Sequence, residues 1–215
     1  MTSVLGSFLF VFASLLPIVN PLGGAMLFLS MTPDIDSPTR ADLARRIALY
    51  SFIVLVVSLY AGALVLSFFG ISLGVLRVAG GLVLVAAGWH ALNAPRESNG
   101  AAAAAQAARV NVRKMAFFPL TMPLTTGPGA ISVATAIGTS SPRNLSDIVG
   151  ALLAAAAITV AVWVCYRYSD RINRAVGETG ADALSRVFAF ILICVGVQVL
   201  WTGFVELWMD LPARA

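Results

Sequence analysis

The chain has 215 residues, of which 59% are hydrophobic and only 11% are charged, and its mean hydropathy is +0.90. A soluble domain carries roughly 25% charged residues, so most of this chain cannot face water and a soluble globular class is excluded. The net charge is +4, and the basic residues lie mostly in short loops beside apolar runs. They do not form a basic stripe interleaved with aromatic residues, so a nucleic-acid-binding class is excluded.

Six apolar runs are each long enough to cross a bilayer, which takes about 20 mostly apolar residues. The first run has no charge and no small-residue cleavage site, so we expect it to remain as a membrane span and not to act as a signal peptide. In chain order the predicted spans are Val4 to Met31, Ile47 to Phe69, Leu73 to Asn93, Met115 to Ile137, Ile148 to Tyr166 and Leu184 to Leu207.

The distribution of basic residues predicts the orientation of these spans. Of the 14 basic residues, 11 follow spans one, three and five, and only Arg77, Arg143 and Arg214 belong to the opposite side. Because basic loops stay cytoplasmic, we expect both termini to be external in a multi-pass protein of the bacterial inner membrane. The 11 cytoplasmic residues are Arg40, Arg45, Arg46, Arg96, Arg109, Arg113, Lys114, Arg167, Arg171, Arg174 and Arg186.

Two landmarks indicate an internal repeat. Pro21 in span one and Pro128 in span four are 107 residues apart, and Arg77 at the start of span three is 109 residues before Arg186 at the start of span six. A repeat unit of three helices is odd, so the second copy enters the membrane from the other side and the repeat is inverted. The predicted units are residues 1–97 as the first three-helix repeat, 98–111 as an Ala-rich cytoplasmic linker and 112–215 as the second repeat.

Spans one and four are predicted to be broken. In each, two prolines flank a short stretch and glycines follow, and a proline removes one helical hydrogen bond and clashes one turn back. We therefore expect unwinding around Val19 to Leu22 and Thr125 to Pro128, close together at mid-membrane. The alternative is that these residues only form kinks and packing points, but the matched pair favours a site. The sequence thus predicts an all-α membrane protein with six transmembrane helices in two inverted three-helix repeats, with helices one and four broken mid-membrane.

The breaks carry the candidate site. The start of a half-helix favours a carboxylate, and the carbonyl end favours an ammonium group or a small cation. Glycines would let a ligand approach the backbone, and a mid-span glutamine needs a polar partner. The candidate substrate-binding residues are Asn20, Pro21, Gly23, Gly24, Thr121, Thr125, Thr126, Gly127, Gly129 and Gln198.

Other reactive residues point to no chemistry. No acidic residue lies near a span centre, so a carboxylate proton relay is not expected. Arg77 and Arg186 fit membrane anchors or ion pairs better than substrate steering, and His90 fits an interfacial position. The two cysteines lack metal-ligand spacing, and hydrolase, zinc-protease and phosphate-loop motifs are absent. We therefore expect no enzyme, no metal and no cofactor, while a coupling ion, H⁺ or Na⁺, is left open.

Three segments carry a resemblance to a known family. The stretches Leu16 to Gly23, Leu76 to Gly81 and Pro119 to Ile131 together resemble the MarC family, also called the small neutral amino-acid transporter family. The resemblance covers nearly the whole chain. It implies a multi-pass plasma-membrane protein and, for some members, transport of small neutral amino acids such as glycine and alanine. Ala189 stands where the resemblance leads one to expect glycine after the second arginine, which loosens the expected packing between spans.

These observations favour a secondary transporter of small neutral amino acids that works by alternating access around a midplane site. Its partners would be the lipid bilayer and a small zwitterionic substrate. Two alternatives remain at this stage, which are a non-transporting membrane protein with a stress-linked or scaffold role and a channel. The substrate, the direction of transport, any link to antibiotic resistance and homo-oligomerisation are left open.

Overall fold

The computed structural model describes residues 3–32, 35–93, 115–140 and 144–210, and every regular element in them is a helix. The predicted all-α class is confirmed. The linker predicted at 98–111 lies outside the described residues, and the boundaries of the two repeats stay a prediction. The helices are α1 (Val4–Val19), α2 (Pro21–Ser30), α3 (Ser37–Phe69), α4 (Leu73–Leu92), the π-helical α5 (Ala116–Thr125), α6 (Pro128–Ser140), α7 (Leu145–Arg167) and α8 (Ser169–Asp210).

Five helical stretches in the described residues are long and apolar enough to cross a membrane. The predicted fourth span differs, because α5 and α6 have only 10 and 13 residues and are separated at Thr126 and Gly127. Neither segment alone reaches the length that a span needs. The five stretches are Val4–Leu29 across the end of α1, Ser37–Phe69, Leu73–His90, Leu145–Arg167 and Arg186–Met209.

Two helices extend further than the apolar runs that predicted them. Helix α3 begins at Ser37 and not at Ile47, because the carboxylate of Asp36 accepts a hydrogen bond from the Thr39 amide (3.3 Å) and caps the helix. Helix α8 begins at Ser169 and not near residue 184, and it contains a kink at Gly177, where φ is 73°. The polar first turns of both helices lack the hydropathy of a span but keep helical geometry.

Helices α4 and α8 pack against each other at close range. A side chain on Gly81 would meet the Gly196 carbonyl at 2.6 Å, so the two backbones nearly touch. Small residues recur at intervals of seven on both helices, and such spacing keeps one face turned toward its partner. The facing pairs are Gly74 with Gly203, Gly81 with Gly196 and Gly88 with Ala189.

The other helices form one apolar core, to which α4 contributes Leu84. Helix α1 packs on α7, α3 packs on α6 and α7, and the short α2 contacts both α7 and α8. The core includes the fully buried Leu15, Ile47, Leu55 and Ile158. As a result, the starts of the short helices α2 and α6 lie inside the bundle, where their backbone is shielded from lipid.

Candidate functional site

The first helix break is a single residue. Asn20 adopts the left-handed conformation (φ 45°, ψ 67°) between the last residue of α1 and Pro21, the first residue of α2. Its amide still donates to the Leu16 carbonyl (2.9 Å), and its side-chain Oδ1 accepts from the Gly23 amide (3.1 Å). The break is confirmed in position, but the expected unwinding from Val19 to Leu22 is wrong, because Asn20 both ends one helix and caps the next.

The second break follows a π-helical segment. The Thr126 amide donates to the Thr121 carbonyl five residues back (2.9 Å), and Phe118 and Met122 have extended backbone angles inside the segment. Proline at two positions of α5 removes the amides that a regular helix would use, which explains the wider turn. Thr126 and Gly127 separate this segment from α6, so the predicted break is confirmed between Thr125 and Pro128.

Both breaks open onto one cavity of about 400 Å³. Its walls come from α1, α2, α4, α5, α6 and α8, and they are mostly apolar, with Asn20, Thr125 and His90 as polar side chains. This volume lies at the small end of the range for ligand sites, which suits a small molecule better than a drug-sized one. The lining residues are Ile18, Val19, Asn20, Gly23, Gly24, Leu27, Met31, Val83, Leu84, Ala86, Ala87, His90, Pro119, Leu124, Thr125, Gly127, Pro128, Ala130, Phe188, Ala189 and Leu192.

The predicted site residues fall into two groups. Asn20, Gly23, Gly24, Thr125 and Gly127 line the cavity from both breaks, so the sequence prediction brings together residues that are about a hundred positions apart. The other predicted residues lie elsewhere. Pro21, Thr121, Thr126 and Gly129 are buried outside the lining, and Gln198 lines a separate cavity.

Three of the glycines make room for side chains and not for a ligand. The space beside Gly23 is filled by the Asn20 amide, the space beside Gly24 by the Tyr166 hydroxyl, and the space beside Gly129 by Leu84. These three glycines are therefore explained by packing, because any larger residue there would clash with a neighbouring side chain, although Gly23 and Gly24 also line the cavity. Gly127 keeps its place in the cavity wall.

Tyr166 joins the two breaks, and sequence reasoning took it only as the end of the fifth span. Its side chain is fully buried, and its ring stacks on Phe28 of α2 with centroids 4.9 Å apart. Its hydroxyl lies 2.8 Å from Thr125 Oγ1, which itself donates to the Leu120 carbonyl (2.7 Å), so Tyr166 is the donor. The one sequence signal was a phenol in an apolar span, since a buried hydroxyl needs a polar partner.

The two half-helix starts differ in what they offer an anion. At α2 the Gly23 amide is taken by the Asn20 side chain and the Gly24 amide by the Asn20 carbonyl (2.9 Å). At α6 the amides of Gly129 and Ala130 belong to the first turn, where a helix supplies no acceptor of its own, and Ala130 lines the cavity. The start of α6 is therefore the better place for a negative charge.

Metal-binding geometry does not arise in the part of the chain that the structure describes, where no three His, Cys, Asp or Glu side chains come together. The two cysteines are free thiols, Cys165 half-buried and Cys194 exposed. The polar groups of the site are the Asn20 amide, the Thr125 hydroxyl, the His90 imidazole and backbone groups, set in an apolar wall.

Comparison with known proteins gives one consistent result. The profile of a family described as MarC family integral membrane protein matches residues 5–208. The chain is 34% identical to the inner membrane protein MarC of Salmonella typhimurium over 203 residues, which is 90% of this chain and 91% of the relative. It is equally similar, at 34% identity and the same coverage, to the proteins of that name from Citrobacter koseri and Escherichia coli O139:H28. No solved structure matches it significantly.

Proposed function

Because this chain belongs to the MarC family of integral membrane proteins, we propose that it is a secondary transporter of small neutral amino acids, working by alternating access. It is a multi-pass protein of the inner membrane. The observation that carries the proposal is that two broken helices, one from each half of the chain, meet at one cavity of about 400 Å³. Paired interruptions of this kind mark the substrate sites of transporters.

The proposed architecture has six spans in two inverted repeats, with α5 and α6 together forming the fourth span. The packing supports this symmetry, because α1 rests on α7 as α6 rests on α3, while α4 and α8 pair with each other. Arg77 and Arg186, which are 109 residues apart, also make related contacts at opposite ends of the α4–α8 pair. Arg77 pairs with Glu206 (2.6 Å), and Arg186 donates to the Leu92 carbonyl (3.0 Å).

The proposed orientation has external termini, and one contact supports it. Arg40, near the start of α3, pairs with Asp170, at the start of α8 (2.7 Å). The starts of these two helices therefore lie at the same end of the bundle, as the distribution of basic residues requires. The cavity extends toward that end through Met31 and His90, so the proposal assigns it to the cytoplasmic half.

A zwitterion suits the polar groups around the cavity. The open start of α6 favours a carboxylate by roughly 0.3 to 2 kcal/mol before hydrogen bonds are counted. At the other break, Ile18 and Val19 line the cavity and belong to the last turn of α1, where a helix supplies no donor for its carbonyls, so this end suits an ammonium group. With no acidic side chain in the lining, a free organic cation would lack a counter-charge. A coupling ion, H⁺ or Na⁺, belongs to the same proposal.

We expect purified protein in sealed vesicles to exchange labelled alanine and glycine but not ethylamine, which lacks the carboxylate. The measurement is counterflow into preloaded vesicles, with and without proton and sodium gradients. Counterflow identifies a carrier, because a channel only equilibrates the label. Equal binding of alanine and ethylamine would contradict the carboxylate site, and absence of any flux would favour a non-transporting scaffold role.

Two substitutions of Asn20 separate its role in binding from its role in folding. The Oδ1 atom caps α2, whereas no described residue bonds Nδ2, which leaves that amide for the solute. Asn20→Gly tolerates the left-handed conformation and should change the free energy of unfolding by only a few tenths of a kcal/mol, roughly. Asn20→Ala loses the cap and strains the backbone, which costs about 1 to 3 kcal/mol.

Both Asn20 variants should weaken alanine binding about tenfold, because each lacks the amide. Melting temperature in detergent and binding of labelled alanine are measured on the same preparations. If Asn20→Gly binds like the parent, Asn20 serves the fold alone and is not part of the site.

A further inference from the structure

A second cavity of about 260 Å³ lies on the other side of the bundle centre from the first. Arg77, whose partner Glu206 lies 2.6 Å away, is the charged residue in its wall, and Gln198 belongs to it as well. Polar side chains of α1, α4, α6 and α8 line this second cavity, and the same four helices also line the first cavity. The lining residues are Phe10, Ser14, Arg77, Val133, Ala136, Ile137, Ser140, Gln198, Val199 and Thr202.

The two cavities follow each other along the same helix faces. On α1, Ser14 lines the second cavity and Ile18, one turn later, lines the first. On α6, Pro128 lines the first cavity and Ala136, two turns later, lines the second. Residues spaced by four or eight share one face of a helix, so the two cavities lie in line and not side by side.

Ser132 stands at the closure between the cavities. It lies one turn from Pro128 and one turn from Ala136 on the same face of α6. Across from it is Gly80 of α4, where an added side-chain carbon would be 3.0 Å from Ser132 Cβ and 3.2 Å from the Pro128 carbonyl. The two helices therefore touch at this level, and the contact separates the two volumes.

The Ser132 hydroxyl is fully buried and has no hydrogen-bond partner among the described residues. Elsewhere in the bundle, buried hydroxyls such as those of Ser58 and Thr159 donate to the carbonyl one turn back. A buried hydroxyl without a partner is disfavoured, so each one in a native protein needs an explanation. Ser51 is also unpartnered, but it belongs to α3, which supplies none of the described lining of either cavity.

We propose that the two cavities are the halves of one permeation path and that the Ser132 hydroxyl is a polar contact of the solute at the closure between them. This inference rests on the proposed transport function and adds a residue that the two helix breaks do not contain. When α4 and α6 separate at Gly80, the hydroxyl faces the opened path and can donate to a carboxylate or accept from an ammonium group. Because Gly80 has no side chain, the two helices can come back into contact at this level.

Removing the hydroxyl should reduce transport without harming the fold. Ser132→Ala is expected to slow alanine counterflow about tenfold or more, while the melting temperature stays equal or rises, because no hydrogen bond is lost in the folded protein. Ser51→Ala is the matched control: its melting temperature should also stay equal or rise, for the same reason, but its counterflow should remain at the parental rate. Parental flux in Ser132→Ala, or a melting temperature that falls, would overturn the inference.

Thiol labelling tests the path even if the amino-acid substrate is wrong. In a chain with Cys165→Ala and Cys194→Ala, a small charged thiol reagent should reach Ala87→Cys from the cytoplasmic side and Ser14→Cys from the external side. Ser132→Cys should react more slowly than either, because the reagent reaches it only while the contact between α4 and α6 is open. If the parent moves no amino acid but Ser132→Cys reacts, the proposed substrate fails and the path stands. If Ser132→Cys stays unreactive, or neither end cysteine is labelled, the path is wrong.

Discussion

Replacement of Gly81 by leucine is expected to prevent the two halves of the protein from packing together. A side-chain carbon at this position would lie 2.6 Å from both the Gly196 carbonyl and the Leu200 amide, which are backbone atoms that cannot rotate away. Overpacking of a well-packed core costs about 1 to 3 kcal/mol, and a clash with backbone on a facing helix should reach at least about 3 kcal/mol. The measurement is the melting temperature in detergent, together with the yield of monodisperse protein.

Ala79→Leu is the matched control for this prediction. Ala79 lies on the same helix but is exposed, and leucine there would face the membrane. It should leave the melting temperature of the protein unchanged, because a leucine side chain is favourable in the hydrocarbon core of the membrane. A Gly81→Leu protein as stable as the parent would show that α4 and α8 do not pack through their glycines, and the proposed two-fold relation between the halves would lose its main support.

The spacing of seven residues between the small residues of α4 and α8 is visible in the sequence. Glycines recur at 74, 81 and 88, and small residues recur at 189, 196 and 203. Such a pattern predicts close packing of two helices, but it does not say which two, because any small-residue face can pair with any other. Ala189 takes part in this pattern, so the departure from the expected glycine at that position keeps a small residue against Gly88.

The positions of the breaks were predictable because they depend on local chemistry. Proline removes a backbone donor wherever it stands, so Pro21 and Pro128 mark new helix starts in the structure as in the sequence. The width of each break was not predictable. Asn20 closes the first break within one residue by capping α2, whereas the second break follows a π-helical segment.

The roles of the glycines depend on neighbours that are distant in sequence. Gly24 and Gly129 look alike in the sequence, but one accommodates Tyr166 and the other accommodates Leu84. Neither contact follows from composition or spacing, because each joins helices that are far apart along the chain. For the same reason Tyr166 was missed, although it bonds Thr125, a predicted site residue.

Loss of the Arg40 guanidinium is the second large effect that we expect. Its side chain is 9% exposed and donates to both carboxylate oxygens of Asp170 (2.7 and 2.8 Å) and to the backbone carbonyls of Thr32 and Ile35 (2.6 and 2.8 Å). Removing one partner of a buried ion pair costs about 3 to 5 kcal/mol, and Asp170 is one-third exposed, so water recovers part of this. Arg40→Ala should therefore destabilise the protein by about 2 to 3 kcal/mol.

Two variants show whether geometry or charge is responsible. Arg46 pairs with Asp42 on the exposed surface of the same helix, so Arg46→Ala should leave the melting temperature unchanged. Arg40→Lys keeps the charge but loses the fork that reaches Asp170 and the two carbonyls together, so its melting temperature should fall between those of the parent and Arg40→Ala. If lysine restores full stability, the contact acts as a simple charge pair. An intermediate value means that the fork of the guanidinium is needed to fix the residues after α2 to the start of α8, because only arginine reaches Asp170 and the carbonyls of Thr32 and Ile35 together.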